Sequence, residues 1–497
     1  MENNSKPINL RKDIVPSHKM ENDAQLSSLR KNVFPIHRHE LRKFIPLTSI
    51  FFMISFIYST LRSLKDIYVL EHAGAEVIYC LKLFGVTPAV LLLTIAYNRL
   101  SRVVDKARKF NIVIAYFLVF FGLSYVFFIP NLEALQLDSL ADRLNASIPA
   151  MKNLWESIRY WPLSLFYINA EAWGTMALGV LFWTFVNDIT GAEQAKRFYS
   201  FLSLGAAVGL IMAGILLKTF HKHLDFVLVS CVGIIGAILV LYNSFSYNIR
   251  KHPELYQIEQ RPKKKKEKLS FLESFRFLIK SRYLALIATL IISYGVVISL
   301  FESVWKAKIK ALTLGNEGML ANIYGNQGIF SGILSLVLII FLSTPIMNRG
   351  WRFAASVTPV ITLIATVIFF SFLYFQDALG GITAQWGMSP LSLAVTFGLI
   401  NVVFIKAFKY TLFDPTKERA YIPLDEESKV RGKAAVDGVG SRVGKSLGSL
   451  LITFALVPAF GSIHNAEYVI FALIMFMLIL WLRAVNKLSV LFKEHEE

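Results

Sequence analysis

Long apolar runs separated by short polar connections repeat along almost the whole chain. A helix of about 20 apolar residues crosses the hydrocarbon core of a bilayer. Twelve such spans are predicted, at 44–61, 77–97, 110–130, 161–186, 198–220, 226–243, 283–302, 319–343, 353–375, 391–408, 434–460 and 467–484. Each run is longer and more uniformly apolar than a barrel strand, so the spanning element is a helix. The ninth and twelfth runs are almost free of polar residues and suit peripheral positions. The basic connections are the even-numbered ones. They are Asn98–Lys109, the stretch with Arg250, Lys251, Arg261 and the run Lys263–Lys266, and the short link with Arg349 and Arg352. Residues 131–160 and 376–390 are neutral or mildly acidic. Basic loops stay on the cytoplasmic side, which predicts that both termini are cytoplasmic.

The long basic connection at 244–282 divides the spans six and six, the hydropathy signature of a transporter built from two parallel repeats. The expected organisation is a cytosolic segment 1–43, a six-helix half 44–243, a cytoplasmic linker 244–282, a second half 283–484 and a cytosolic tail 485–497. The lysine run 263–266 reads as a topology determinant rather than a nucleic-acid patch. Composition supports a polytopic membrane protein: of 497 residues, 55% are hydrophobic and only 17% charged, and mean hydropathy is +0.52. Soluble chains carry about 25% charge. Residues 1–43 hold Glu2, Asp13, Glu21, Asp23 and Glu40, which argues against a secretory signal and an organelle transit peptide. Cys80 and Cys231 both fall in apolar runs, so neither a disulfide framework nor a thiolate metal site is expected.

The net charge of +18 makes the charges within or beside the spans informative. An ionised side chain inside a span costs about 2.5–3.5 kcal/mol on insertion scales and marks function by default. Arg62, Lys65 and Asp66 close the first span, and Lys82 lies in the second. Glu171 sits near mid-membrane in the fourth. Glu302, Lys306 and Lys308 close the seventh, Lys406 and Lys409 the tenth, and Arg442 and Lys445 lie in the eleventh. Cations outnumber acids, so a water-filled cavity lined by them attracts polyanions, phosphates above all. Each has a structural alternative. Lys308, Lys406 and Lys409 can snorkel to the headgroups, Lys65 or Arg62 can pair with Asp66, and Glu171 can hold two helices together in a buried ion pair. Gly438-Val-Gly-Ser-Arg-Val-Gly-Lys-Ser446 imitates a phosphate loop, but the required first glycine falls on Val439 and no strand precedes it. The nine histidines lie outside the predicted spans with no metal-ligand spacing, so no metal, no cofactor and no enzymatic site are expected.

Several motifs together resemble the ATP/ADP translocases, the nucleotide transporter family of obligate intracellular bacteria and plastids. The longest is Leu412-Phe-Asp-Pro-Thr-Lys-Glu-Arg-Ala-Tyr-Ile-Pro-Leu-Asp-Glu-Glu-Ser-Lys-Val-Arg-Gly-Lys-Ala-Ala435. Others are Arg62-x-x-Lys-Asp66, Gly74-Ala-Glu-Val-Ile78 with Leu81-Lys-Leu-Phe-Gly85, Glu171-x-Trp-Gly174, Ala195-Lys-Arg-Phe-Tyr199 and Glu302-x-x-Trp-Lys306. The resemblance implies an all-α, twelve-helix, major-facilitator-like fold whose first, fourth, seventh and tenth helices line a central cavity. It implies alternating-access exchange of ATP for ADP across a bacterial inner membrane, by a protein working as a monomer. The alternative is proton-coupled net import of nucleotides with a broader base range. The residues expected to bind and move substrate are Lys65, Lys82, Glu171, Glu302, Lys306, Lys433, Arg442 and Lys445. Where the family often carries an Asn associated with base recognition, this chain has Ala207, which offers no hydrogen bond to a base edge. A membrane-embedded transferase and a carrier of other organic anions are the rival classes.

Overall fold

The computed structural model describes residues 36–37, 40–252, 256, 281–385, 387–424, 436 and 441–496. Among these residues the regular elements are all helical, with no strand. Ten helices are long and apolar enough to cross a membrane: α1 Leu41–His72, α2 Ala75–Leu100, α3 Ala107–Phe128, α4 Trp161–Ile189, α6 Leu224–Lys251, α7 Arg282–Thr313, α8 Glu317–Asn348, α9 Trp351–Tyr374, α10 Pro390–Ala420 and α12 Glu467–Phe492. The fifth and eleventh predicted spans are shorter apolar stretches, Leu204–Thr219 within α5 (Ala192–Thr219) and Ser446–Phe460 within α11, which begins at Ser441. Lys433 lies outside the described residues. Arg442 and Lys445 lie on α11, but their side chains are outside the described set.

Several helices outrun their predicted spans, which corrects the placement of the charges. The first span was expected to end at 61, yet α1 continues to His72, so Lys65 and Asp66 are inside the helix and buried. The same holds for Glu302, Lys306 and Lys308, which α7 carries eleven or fewer residues before its end at Thr313. Hydropathy ends a span at the first cluster of charges. Here the charges neutralise one another, so the helix continues through them.

Short turns make successive helices run alternately up and down. One end of the bundle, here the distal end, holds the turns α1–α2, α5–α6, α7–α8 and α11–α12, together with short helices at Asp138–Ser147, Lys152–Arg159 and Gln376–Gln385. The proximal end holds the turns α2–α3, α4–α5 and α8–α9, together with the start of α1 and the end of α12. The first turn of each half uses a left-handed glycine, Gly74 at φ 107° and Gly315 at φ 77°, a conformation that L side chains rarely adopt. These two turns abut. A Cβ on Gly315 would lie 3.4 Å from the Glu71 carbonyl oxygen, and one on Gly74 would lie 3.3 Å from Lys310 Nζ.

The halves, α1–α6 and α7–α12, meet most closely along α5 and α8. Gly214 packs against Gly325 and Gly328 there, and a Cβ on Gly214 would sit 2.5 Å from the Gly325 carbonyl oxygen. Small residues permit this backbone approach in membrane bundles. Lipid-compatible side chains such as Val119, Val126, Val240, Phe341 and Phe476 cover the outside.

Candidate functional site

Two tryptophans fix the helices that carry the central charges. Trp173 Nε1 donates to the Ile54 carbonyl at 3.2 Å, tying α4 to α1. Trp305 Nε1 donates to the Val395 carbonyl at 3.0 Å, tying α7 to α10. Both rings are fully buried. Gly398 leaves room for the Trp305 indole, and Gly174, next to Trp173, leaves room for the Tyr58 ring. An acid stands two or three residues before each tryptophan, Glu171 on α4 and Glu302 on α7.

Six side chains there form one alternating chain of ion pairs. Glu171 Oε1 of α4 is 3.0 Å from Lys65 Nζ of α1. Lys65 is 2.8 Å from Asp66 Oδ1, and Asp66 Oδ2 is 2.8 Å from Lys306 Nζ of α7. Lys306 is 3.9 Å from Glu302, whose other oxygen is 3.4 Å from Lys406 Nζ of α10. The chain therefore links α4, α1, α7 and α10 and crosses from one half to the other at Asp66–Lys306. Its centre is dry, with Lys65, Asp66, Lys306 and Glu302 all buried, whereas its ends are open: the side chains of Glu171 and Lys406 are 29% and 18% exposed. Buried charges in apolar surroundings persist only when paired, and every member of this chain has an opposite partner.

Tyrosines surround the chain. Lys65 Nζ lies 3.8 Å from the centre of the Tyr167 ring, a cation–π contact in addition to its carboxylates. The buried hydroxyls of Tyr79, Tyr167 and Tyr324 have no hydrogen-bond partner among the described residues. Lys82 Nζ lies 4.8 Å over the Tyr79 ring. It feels the charges of Lys306, Glu302, Lys65 and Asp66, yet forms no ion pair among the described residues.

The structure brings together Lys65, Lys82, Glu171, Glu302 and Lys306 of the residues expected from sequence. It adds two outside that set, Asp66 and Lys406. The signal for Asp66 is the motif Arg62-x-x-Lys-Asp66 itself, where its adjacency to Lys65 made it look like a local partner. Lys406 is a counter-charge to Glu302 rather than a snorkelling residue. Lys308 is likewise paired, at 2.5 Å from Glu467 of α12, which also accepts from His464 at 2.7 Å. Lys409 pairs along its own helix with Asp414 at 2.9 Å. Ala207 is buried where α5 meets α8, with its carbonyl oxygen 2.8 Å from where a Cβ on Gly332 would be.

Among the described residues, hydrogen bonds between the halves other than Lys306–Asp66 lie at the distal end. The Ile463 backbone N–H of the α11–α12 turn donates to Glu76 of α2 at 3.3 Å, and Lys218 of α5 donates to Asn326 of α8 at 3.0 Å. Near the proximal end, long-range hydrogen bonds run within a half: Lys43 to Gln194, Asn111 to Asn243, Tyr283 to the Ala420 carbonyl and Trp351 to the Thr416 carbonyl. The arrangement is a two-half bundle fastened distally above a cationic, tyrosine-lined centre.

Known structures share this architecture. A bacterial homologue of the iron transporter ferroportin in an inward-facing state aligns over 93% of this chain and 99% of its own, at 13% identity and a TM-score of 0.54. A D-xylose–proton symporter aligns over 88% and 97%, at 12% identity and a TM-score of 0.52. These similarities show that the chain shares the fold of these two proteins. In sequence, the chain is 35% identical over 475 residues to ADP,ATP carrier protein 1 of Chlamydia pneumoniae, covering 91% of this chain and 92% of that one. It is 37% identical over 469 residues to the protein of the same name from Rickettsia typhi, covering 91% and 93%. It is 35% identical to the chloroplastic ADP,ATP carrier protein 1 of Arabidopsis thaliana over 467 residues, covering 90% and 74%. The family model described as TLC ATP/ADP transporter matches residues 19–492, and the chain belongs to that family of multi-pass membrane transporters.

Proposed function

We propose that this protein exchanges ATP for ADP across a bacterial inner membrane by alternating access, as a monomer with both termini in the cytoplasm. The observation that carries the reading is the ion-pair chain Glu171–Lys65–Asp66–Lys306–Glu302–Lys406, which joins the halves through four helices. Its lysines are suited to the phosphates of a nucleotide, and Lys82 adds a cation that forms no ion pair among the described residues. The relatives named ADP,ATP carriers support adenine nucleotides as cargo. The basic linker 244–282 supports a proximal side facing the cytoplasm.

Exchange follows from the cost of moving the empty protein. Opening the distal end separates α1 from α7 and breaks Asp66–Lys306. Breaking a buried pair by stranding one partner costs about 3–5 kcal/mol. A bound nucleotide supplies anionic oxygens to the stranded lysine and lowers that cost, so the loaded protein reorients and the empty one does not. Lys433, Arg442 and Lys445 belong to this reading as further phosphate-seeking cations on the approach to and along α11. Proton-coupled net import is the second reading. It is favoured by Glu171, which at 29% exposed is the acid of the chain most open to water.

Purified protein in liposomes decides between them. Uptake of labelled ATP, GTP, UTP and NAD is measured with and without internal counter-substrate, and with a protonophore. Exchange predicts ATP and ADP uptake that requires internal nucleotide and ignores the protonophore. Uptake into empty liposomes that the protonophore abolishes would establish the second reading.

A further inference from the structure

We propose that Asp66 is a built-in competitor of the substrate: its carboxylate occupies, in the empty transporter, the place that a nucleotide phosphate takes when it binds. This inference rests on nucleotides being the cargo.

Asp66 is the point at which the two halves share an anion. Its two oxygens are divided between them, Oδ1 at 2.8 Å from Lys65 of the first half and Oδ2 at 2.8 Å from Lys306 of the second. A phosphoryl group bridging two lysines presents the same arrangement, oxygens of one anion directed at two ammonium groups. Asp66 is nearly buried, at 4% exposed, so its charge is held by these lysines and not by water. Each lysine also has a second acid from its own half, Lys65 at 3.0 Å from Glu171 and Lys306 at 3.9 Å from Glu302. Removing Asp66 therefore leaves both lysines flanked by an acid while withdrawing the anion they share. Because Asp66 follows Lys65 directly on α1, it cannot accompany Lys306 when α7 moves away. A diffusible phosphate can.

Two consequences separate this role from simple positioning of Lys65. The observed affinity for nucleotide includes displacement of the carboxylate, so the wild-type protein binds more weakly than its lysines allow. The carboxylate also holds the empty protein closed, so its loss loosens the requirement for counter-substrate.

The test uses the full-length protein and ATP as probe, with direct binding measured in detergent and exchange in liposomes. Asp66→Asn, which keeps the shape and removes the charge, is expected to lower the Kd for ATP about tenfold. KM is expected to fall with it, maximal exchange to slow because release is slower, and the ratio of net efflux to exchange to rise. Asp66→Glu, which restores the anion, returns Kd toward the wild-type value. An unchanged or weakened ATP affinity in Asp66→Asn overturns the proposal and leaves Asp66 as a structural tie. If Asp66→Asn does not fold, the same comparison is made in a Lys306→Gln background, which removes the α7 lysine that pairs with Asp66. Adding Asp66→Asn there must tighten ATP binding relative to Lys306→Gln alone, and equal or weaker binding overturns the proposal. If wild-type protein binds no nucleotide, the assignment of cargo fails, and that result is distinct from either outcome for Asp66.

Discussion

Lys82 and Lys65 are both cations of the central site, but they stand in different electrostatic settings. Lys65 is held by Asp66, Glu171 and the Tyr167 ring, whereas Lys82 lies over the Tyr79 ring and, among the described residues, forms no ion pair. Lys82→Ala removes a phosphate contact and little else, so KM is expected to rise about tenfold with maximal exchange nearly retained. This corresponds to one charge-assisted hydrogen bond of about 1.5–3 kcal/mol. Lys65→Ala also leaves the buried Asp66 and the partly exposed Glu171 each short of a partner, so maximal exchange should fall at least tenfold as well. Initial-rate kinetics on the two variants, at matched amounts in the membrane, separate these outcomes; identical kinetics would show that the ion-pair chain has no part in reorientation. For Glu171→Gln, exchange and net uptake are both expected to fall, since Lys65 loses one of its acids in each mode. Loss of protonophore-sensitive accumulation with exchange spared would instead make Glu171 a proton carrier. At this scale the sequence is informative because a charge in an apolar run is conspicuous. Lys65, Lys82, Glu171, Glu302 and Lys306 are all visible in that way. Asp66 and Lys406 are harder to assign: a neighbouring opposite charge or a place near a span end explains each one locally, and only the three-dimensional pairing reveals a counter-charge on another helix.

Among the elements, helix type and general position follow directly from hydropathy, but helix length does not. A window that penalises every charge cuts α1 and α7 short, since it cannot register that Lys65, Asp66, Glu302 and Lys306 cancel one another. Nor does it register the π-helical turns that begin at Gly174 and Lys409, three residues after Glu171 and Lys406. Such turns are frequent at functional sites. The α5–α8 contact is visible in sequence only as scattered glycines, because their partners lie on a helix of the other half. That contact predicts a specific defect. Gly328→Leu places a side chain where the Cβ alone would be 3.1 Å from Gly214 Cα and 3.2 Å from the Leu210 carbonyl oxygen. Two helix backbones cannot yield to it by a side-chain rotation. The variant is expected to insert normally, melt at a lower temperature than wild type, and lose most exchange. Gly236→Leu on α6, where a Cβ would meet nothing within 4 Å, serves as the control and should transport normally.

For the whole molecule, the contacts between halves among the described residues show which end is fastened. The distal end is fastened at Glu76–Ile463, by the abutting turns at Gly74 and Gly315, and by the α5–α8 contact. Alternating access requires these contacts to separate in every transport cycle. A covalent bridge across them should therefore stop transport without disturbing the fold. Ala73→Cys with Leu314→Cys places a thiol on each abutting turn, and Leu314 is 91% exposed, so a short bifunctional thiol reagent can reach it. The native Cys80 and Cys231 are buried and do not compete. Cross-linking is expected to reduce exchange by more than tenfold, and a reducible linker should allow full recovery on reduction. Each single-cysteine variant treated in the same way should exchange at the untreated rate. The same pair reports which face of the membrane is distal: a membrane-impermeant reagent should react from the outside of intact cells, whereas a cysteine placed in 263–268 should react only after permeabilisation. Undiminished exchange in the cross-linked protein would mean that the distal turns never part, and substrate would then have to pass by a route that leaves Asp66–Lys306 closed.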